Sequence, residues 1–268
     1  MVKLAFWNTI GETYRFIFTR PLVVLRAGWV MLTLGFAQGF VDYEYGAFAE
    51  YEHGTGNHLI SVILQMAAAI STIPAEVAIE RAILLEESSW IVALQFRYRH
   101  WRQVGISVLM LLMVVPPAVI IVISNSIAYH YGLPVAAKAI IIVVSFFALL
   151  GLGLAFTRLQ LAMPAIAIDD PAKAIRAAWR RGQSNSWRVF GGVVIITLSI
   201  LLAFLLVFGL QEGLVRLNVS MSQLIIVVLL EIFQFAGTMI SISYFAFAYK
   251  QLAANWNPPP VIEAQQPS

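Results

Sequence analysis

Four polar residues near the carboxyl end of the chain are spaced so that they fall on one face of a helix. They are Glu231, Gln234, Thr238 and Ser241, at intervals of 3, 4 and 3 positions. A carboxylate, an amide and two hydroxyls on one face can bind a cation, hold a polar ligand or hydrogen-bond to a neighbouring helix. We call this set the Glu231 stripe.

A second set of polar residues, in an earlier apolar segment, comprises Gln65, Thr72, Glu76 and Glu80. We call it the Gln65 stripe. Because a polar helix face cannot be turned towards lipid, both stripes should face the interior of a helical bundle. Two interpretations remain open: hydrogen bonding between helices, and a polar cavity for a ligand or an ion.

The segments that carry these stripes are long and apolar. The chain of 268 residues is 60% hydrophobic and 12% charged, and its mean hydropathy is +0.82, which is typical of a polytopic membrane protein. Since about 20 apolar residues in a helix cross a bilayer, the pattern predicts six transmembrane helices. Their predicted bounds are 22–40, 59–79, 104–124, 139–157, 189–210 and 224–247. We expect one all-α transmembrane helical bundle over residues 1–256 and a disordered tail over 257–268.

Lysine and arginine residues are distributed unevenly between the two sets of connecting segments. One set holds only Lys138 and Arg216. The other set holds Lys3, Arg15, Arg20, Arg81, Arg97, Arg99, Arg102, Lys173, Arg176, Arg180, Arg181, Arg188 and Lys250. Because basic loops stay in the cytoplasm, this pattern predicts a multi-pass protein of the bacterial inner membrane with both termini cytoplasmic.

Three segments rich in tryptophan and arginine precede the three predicted hairpins: 7–20, 90–102 and 173–188. We expect them to form amphipathic helices at the cytoplasmic membrane surface. Their basic residues are predicted to contact acidic lipid head groups: Arg15, Arg20, Arg97, Arg99, Arg102, Lys173, Arg176, Arg180, Arg181 and Arg188. The recurrence indicates a tandem repeat of about 80 to 90 residues, although any polytopic protein carries tryptophan and arginine at this boundary.

Arg26 and Glu76 lie at similar depth, each about one turn inside the cytoplasmic end of its predicted helix. They can form an ion pair across adjacent helices. In the alternative, Arg26 extends to lipid phosphates and Glu76 faces water near the boundary.

Motifs for catalysis or metal binding are missing from the sequence. It has no cysteine, its four histidines are scattered, and it contains no phosphate-binding glycine loop, HExxH or GxSxG. The acidic loop after the first predicted helix matches no ligand spacing. We therefore expect no metal, no cofactor, no nucleic-acid partner and no enzymatic activity.

Two boundary stretches carry a family resemblance: VAIERAILLEES (Val77–Ser88) and TRLQLAMPAIAIDDPAKAIRAAWRRG (Thr157–Gly182). The chain resembles the bacterial six-span proteins related to the membrane domain of glycerophosphoryl diester phosphodiesterases. That family pattern leads us to expect a histidine before the boundary arginine, whereas the chain has Glu80 before Arg81. The resemblance implies an integral membrane protein and transfers no catalytic residues, since the phosphodiesterase barrel of other members has no counterpart in these residues.

These observations favour a non-enzymatic membrane component that binds lipids, a membrane protein partner or a second copy of itself. The alternative is a small-molecule transporter or permease with an interior polar site at Glu76 and Glu231. Parallel two-helix repeats count against the transporter, because many transporters use inverted repeats.

Overall fold

The computed structural model describes residues 3–45, 56–87, 97–131, 134–169, 174–216 and 222–253. Across these ranges the chain is all-helical, with no strand, so the predicted fold class is confirmed. The helices are α1 (Phe6–Thr19), α2 (Pro21–Tyr45), α3 (Gly56–Leu84), α4 (Tyr98–His130), α5 (Val135–Gln160), α6 (Ala162–Ala167), α7 (Ala174–Gln183), α8 (Ser186–Arg216) and α9 (Ser222–Leu252). The predicted disordered tail lies outside the described residues.

Six of the helices are long and apolar enough to cross a membrane, which confirms the predicted number. The apolar stretches have mean hydropathies between 1.4 and 3.0. They cover Pro21–Val41, Ile60–Leu84, Tyr98–Ser124, Val135–Ala167, Ser186–Leu210 and Leu224–Leu252. Each is longer than predicted, because helical structure continues past the apolar run into the polar boundary. Pro74 lies inside α3, and Pro116 and Pro117 lie inside α4.

Helix α9 is the centre of the bundle, where it packs against α1, α2, α3 and α8. The pairs α2–α3, α4–α5 and α8–α9 form hairpins, and α5 packs against α8. The most apolar 18 residues of the stretch that begins with α5 include no buried residue, whereas 28% of the corresponding part of the α9 stretch is buried. In a membrane, the uncovered apolar faces of α4 and α5 would lie against lipid.

One end of the bundle carries the three short helices α1, α6 and α7, and we call it the short-helix end. All six residues of α6 are buried there, in contact with α3, α4, α5, α7 and α9. Many of the basic residues lie at this end: Lys250 Nζ donates to the Ile83 carbonyl at 3.3 Å, and Arg188 Nη1 donates to the Leu4 carbonyl at 2.8 Å. The clustering agrees with the predicted topology, while the compartment that this end faces stays a prediction.

The predicted surface helices are only partly reproduced. Helices α1 and α7 occupy the first and third segments, but α7 ends at Gln183 and Ser186 begins α8, so the third segment is divided. In the second segment, residues 90–96 lie outside the described residues, and Tyr98 to Arg102 form the first turn of α4. No proline or glycine separates that turn from the apolar run, so the helix continues. A position at the membrane surface stays a prediction.

The topology can be tested with single cysteines, because the native chain has none. Asn8 in α1 is exposed at the short-helix end and Tyr131, which is 74% exposed, follows α4 at the opposite end. With a cytoplasmic short-helix end, an impermeant maleimide added to intact spheroplasts should label Tyr131→Cys and leave Asn8→Cys unlabelled. Lysis should expose both sites, and the reverse pattern in intact cells would overturn the orientation.

A candidate intramembrane polar cleft

The two stripes meet where α3 packs against α9. A cavity of about 410 Å³ lies between α2, α3 and α9, and a second cavity of about 490 Å³ lies between α3, α5, α8 and α9. The polar residues of the first cavity are Gln38, Gln65, Thr72, Glu231, Gln234 and Thr238. Those of the second are Thr72, Glu76, Gln160, Gln234, Thr238 and Ser241.

The two cavities adjoin, because Thr72, Gln234 and Thr238 line both of them. We call the combined space the polar cleft. Along α9 it extends from Glu231 to Ser241, which at 1.5 Å per residue is about 15 Å. Seven of the eight stripe residues therefore line the polar cleft, and the eighth, Glu80, is buried elsewhere in the bundle.

The hydroxyl groups of the cleft donate to their own helices. Thr72 Oγ1 donates to the Ala69 carbonyl at 2.6 Å, and Thr238 Oγ1 donates to the Gln234 carbonyl at 2.9 Å. Among the described residues, the side-chain amides of Gln65 and Gln234 form no hydrogen bond to another helix, and both residues are exposed. Hydrogen bonding between helices therefore does not account for these amides, and the cavity interpretation gains support.

Glu231 is accommodated by a glycine on the facing helix. A Cβ atom at Gly35 of α2 would overlap the Glu231 carboxylate, and one at Gly39 would lie 2.7 Å from a methyl carbon of Val227. The Gly35–Gly39 spacing is the small-residue pattern that permits close helix approach. These glycines shape the cleft, and their spacing was the signal in the sequence.

The proposed ion pair between Arg26 and Glu76 was wrong. Arg26 is exposed, and the ion pairs among the described residues join Arg81 to Glu87 and Arg99 to Asp169. The α2 face that packs on α3 and α9 carries Val24, Ala27 and Met31. Arg26 lies off this face, so the two helices approach without bringing the charges together.

Glu80, unlike the other residues of the Gln65 stripe, does not line the polar cleft and is fully buried near α4 and α6. Gln103 Nε2 donates to Glu80 Oε2 at 2.8 Å and lies 3.5 Å from the Met163 carbonyl oxygen. Glu80 Oε1 and Gln103 Oε1 have no hydrogen-bond partner in the described structure. A single glutamine at the start of an apolar helix carries no periodic signal, so Gln103 was not predicted.

Two arginines bind the last residue of α6. Arg81 Nη1 and Arg99 Nη1 donate to the Ala167 carbonyl at 2.9 and 3.3 Å, and Arg81 also forms a two-point ion pair with Glu87. The Arg99 side chain is only 12% exposed. The prediction that Arg99 contacts lipid head groups was therefore wrong, because its donors are directed at protein carbonyl and carboxylate oxygens.

The other predicted head-group residues differ in their surroundings. The Arg102 guanidinium lies 6.0 Å from the centre of the Tyr98 ring, and Arg188 donates to a backbone carbonyl. Lys173 and the Arg181 side chain lie outside the described structure. The exposed members are Arg15, Arg20, Arg97, Arg176, Arg180 and Arg188.

The described residues contain no group of three or more His, Asp or Glu side chains that could hold a metal ion. The cleft chemistry is therefore that of two carboxylates, amides and hydroxyls. The chain matches no protein-family model, and no curated protein and no solved structure resembles it significantly. The inference about function therefore depends on the residues of the cleft.

Proposed function

We propose that this chain is a non-enzymatic integral membrane protein that binds an amphipathic ligand in the polar cleft. The observation that carries the proposal is the exposure of Gln65 and Gln234 into a cavity between apolar helices. A polar amide without a partner is costly in a bilayer, so such a cavity must hold water or the polar part of a ligand.

The charge of the lining narrows the class of ligand. Glu76 and Glu231 lie towards opposite ends of the cleft, and the residues that line its two cavities include no lysine or arginine. A cationic or neutral hydrogen-bonding group is therefore favoured over an anion. Phe204, Phe235 and Phe245 also line the cavities and offer apolar surface for the rest of the ligand.

A transporter is the second candidate, and the length of the cleft favours it. Glu231 and Ser241 are about 15 Å apart along α9, which is half of a hydrocarbon core of about 30 Å. Beyond Ser241, the short-helix end of the bundle is filled by the buried residues of α6. A transporter in this conformation would be closed at that end and would need a second state in which α6 moves.

The bacterial inner membrane is the proposed location, with both termini in the cytoplasm. The basic residues gathered at the short-helix end support this orientation. The family resemblance of the boundary stretches supports the bacterial origin. A lipid, a membrane protein or another copy of the chain is the proposed class of partner.

Filling the cleft tests the proposal. Thr238→Leu should reduce the amount of amphipathic species that co-purifies with the protein by about tenfold, since losing a buried polar contact costs about 1 to 2 kcal/mol. Native mass spectrometry of the protein extracted with its lipids measures this amount. Thr33→Leu is the matched control, because Thr33 is exposed on α2 and also donates to the carbonyl four residues earlier. Equal retention by both variants would contradict a ligand site in the cleft.

Glu231→Gln separates the two candidates. The amide keeps most of the shape of the side chain but cannot titrate, so a ligand-binding component should retain its co-purifying species. In proteoliposomes loaded with that species, a proton-coupled transporter would lose flux on this change while it still binds. Loss of flux with an unchanged amount of co-purifying species would favour the transporter over the ligand-binding component that we propose.

A further inference from the structure

A separate pocket of about 400 Å³ lies at the short-helix end, between α1, the end of α3 and the end of α9. We call it the short-helix pocket. Its charged residues are Glu12, Arg15, Arg20, Glu86 and Lys250. Its apolar residues include Phe16, Ile83 and Phe247. The pocket does not share residues with the polar cleft, so its function is independent of the proposal above.

The cations of this pocket are suited to a phosphate group. Arginine forms two-point hydrogen bonds with phosphate oxygens, and lysine adds a charge with three donors. Lys250 uses one donor for the Ile83 carbonyl at 3.3 Å, which holds its ammonium at the pocket. Arg15 and Arg20 are exposed and take part in no ion pair within the described structure. Three cations are thus available to one anion.

The same pocket contains two carboxylates that do not neutralise these cations. Glu12 lies on the α1 face that also carries Arg15, and Glu86 follows the end of α3. Neither forms an ion pair in the described part of the chain; Glu12 Oε2 accepts only a 3.5 Å bond from Gln251. Charges of both signs that are close but unpaired are complementary to a ligand that carries both signs itself.

We propose that the short-helix pocket binds a phosphoethanolamine head group, with the phosphate on Arg15, Arg20 and Lys250 and the primary ammonium on Glu12 and Glu86. An ammonium with N–H donors can hydrogen-bond to both carboxylates, whereas a choline group has no donors. A phosphoglycerol head group brings a negative charge and no cation, so the two glutamates would repel it. The pocket therefore selects the zwitterion with a primary amine.

The apolar surroundings assign the source of this head group to a membrane lipid. Phe16, Ile83 and Phe247 form apolar parts of the wall. Beside Arg20, Phe18 is 76% exposed and Leu22 is 65% exposed. Leu22 lies in the first turn of the apolar helix α2, so acyl chains can continue from the pocket along an apolar surface. A free phosphoethanolamine would leave this surface unused.

Lipid titration by native mass spectrometry, on protein delipidated in detergent, tests the proposal. Phosphatidylethanolamine should bind about tenfold more tightly than phosphatidylcholine or phosphatidylglycerol, the equivalent of one charged hydrogen bond. Glu12→Gln with Glu86→Gln should abolish the preference while binding of all three lipids persists. Arg15→Gln with Lys250→Gln should weaken all three. Lys3→Gln is the control, because Lys3 is exposed before α1 and does not line the pocket, and this change should alter nothing.

Two outcomes would overturn the assignment. Phosphatidylglycerol binding as tight as that of phosphatidylethanolamine would show a general anion-binding surface in place of a zwitterion site. Free glycerophosphoethanolamine binding as tightly as the lipid would show a soluble ligand. Because no variant here touches the cleft, either failure leaves the cleft proposal standing, and a failure of the Thr238→Leu test leaves this one standing.

Discussion

Gly192→Ala should destabilise the protein by about 2 kcal/mol, because overpacking and one lost hydrogen bond outweigh the gain in helix propensity. A Cβ atom at this position of α8 would overlap the Tyr244 ring and its hydroxyl. Tyr244 is fully buried in the core of the short-helix end, and its hydroxyl donates to the Val189 carbonyl at 3.1 Å. The ring can therefore move only by breaking this bond and disturbing its neighbours.

The adjacent glycine provides the control. A Cβ at Gly191 would lie 3.5 Å from the nearest ring carbon of Phe6, which is an ordinary contact. Alanine favours a helix over glycine by about 1 kcal/mol, so Gly191→Ala should be neutral or stabilising. Thermal unfolding of both variants in the same detergent measures the difference. Equal melting temperatures would contradict the described packing of α8 on α9.

Gln103→Leu should cost about 2 kcal/mol, because it leaves the buried carboxyl group of Glu80 without its hydrogen-bond partner. Gln103 Nε2 donates to Glu80 Oε2, and both residues are fully buried. Removing both polar groups should restore much of the stability, since no buried polar group is then left without a partner. The double variant Glu80→Leu/Gln103→Leu should therefore be more stable than Gln103→Leu alone.

Denaturant unfolding of Glu80→Leu, Gln103→Leu and the double variant gives the free energies of unfolding for a double-mutant cycle. Gln183→Leu is the control, because Gln183 is exposed at the end of α7 and the same change there should have little effect. Additive losses in the double variant would show that Glu80 and Gln103 are not energetically coupled.

The six long helices and the two polar stripes could be predicted because each depends on a local pattern. A helix in lipid must be apolar along about 20 residues, so Glu231 and Glu76 stand out wherever they interrupt the run. The intervals between the stripe residues then fix which side chains share a face. No knowledge of neighbouring helices is needed for either inference.

The short-helix end could not be predicted in the same way, because its contacts join distant parts of the chain. The uneven charge distribution indicates a side of the membrane for Arg81 and Arg99, but it cannot distinguish a lipid phosphate from the Ala167 carbonyl. Gln103 becomes a partner of Glu80 only when α4 lies beside α3. The burial of α6 likewise depends on five helices that surround it.

The first residues of the chain are held by segments that are synthesised much later. Leu4 N–H donates to Asn185 Oδ1 at 2.9 Å, the Leu4 carbonyl accepts from Arg188, and Thr9 Oγ1 donates to Gln251 Oε1 at 3.0 Å. During synthesis, α1 therefore lacks its contacts with α8 and α9 until the last hairpin has been made. A chain that stops before α8 would leave the face of α1 that these two helices cover exposed, whereas the described bundle conceals it.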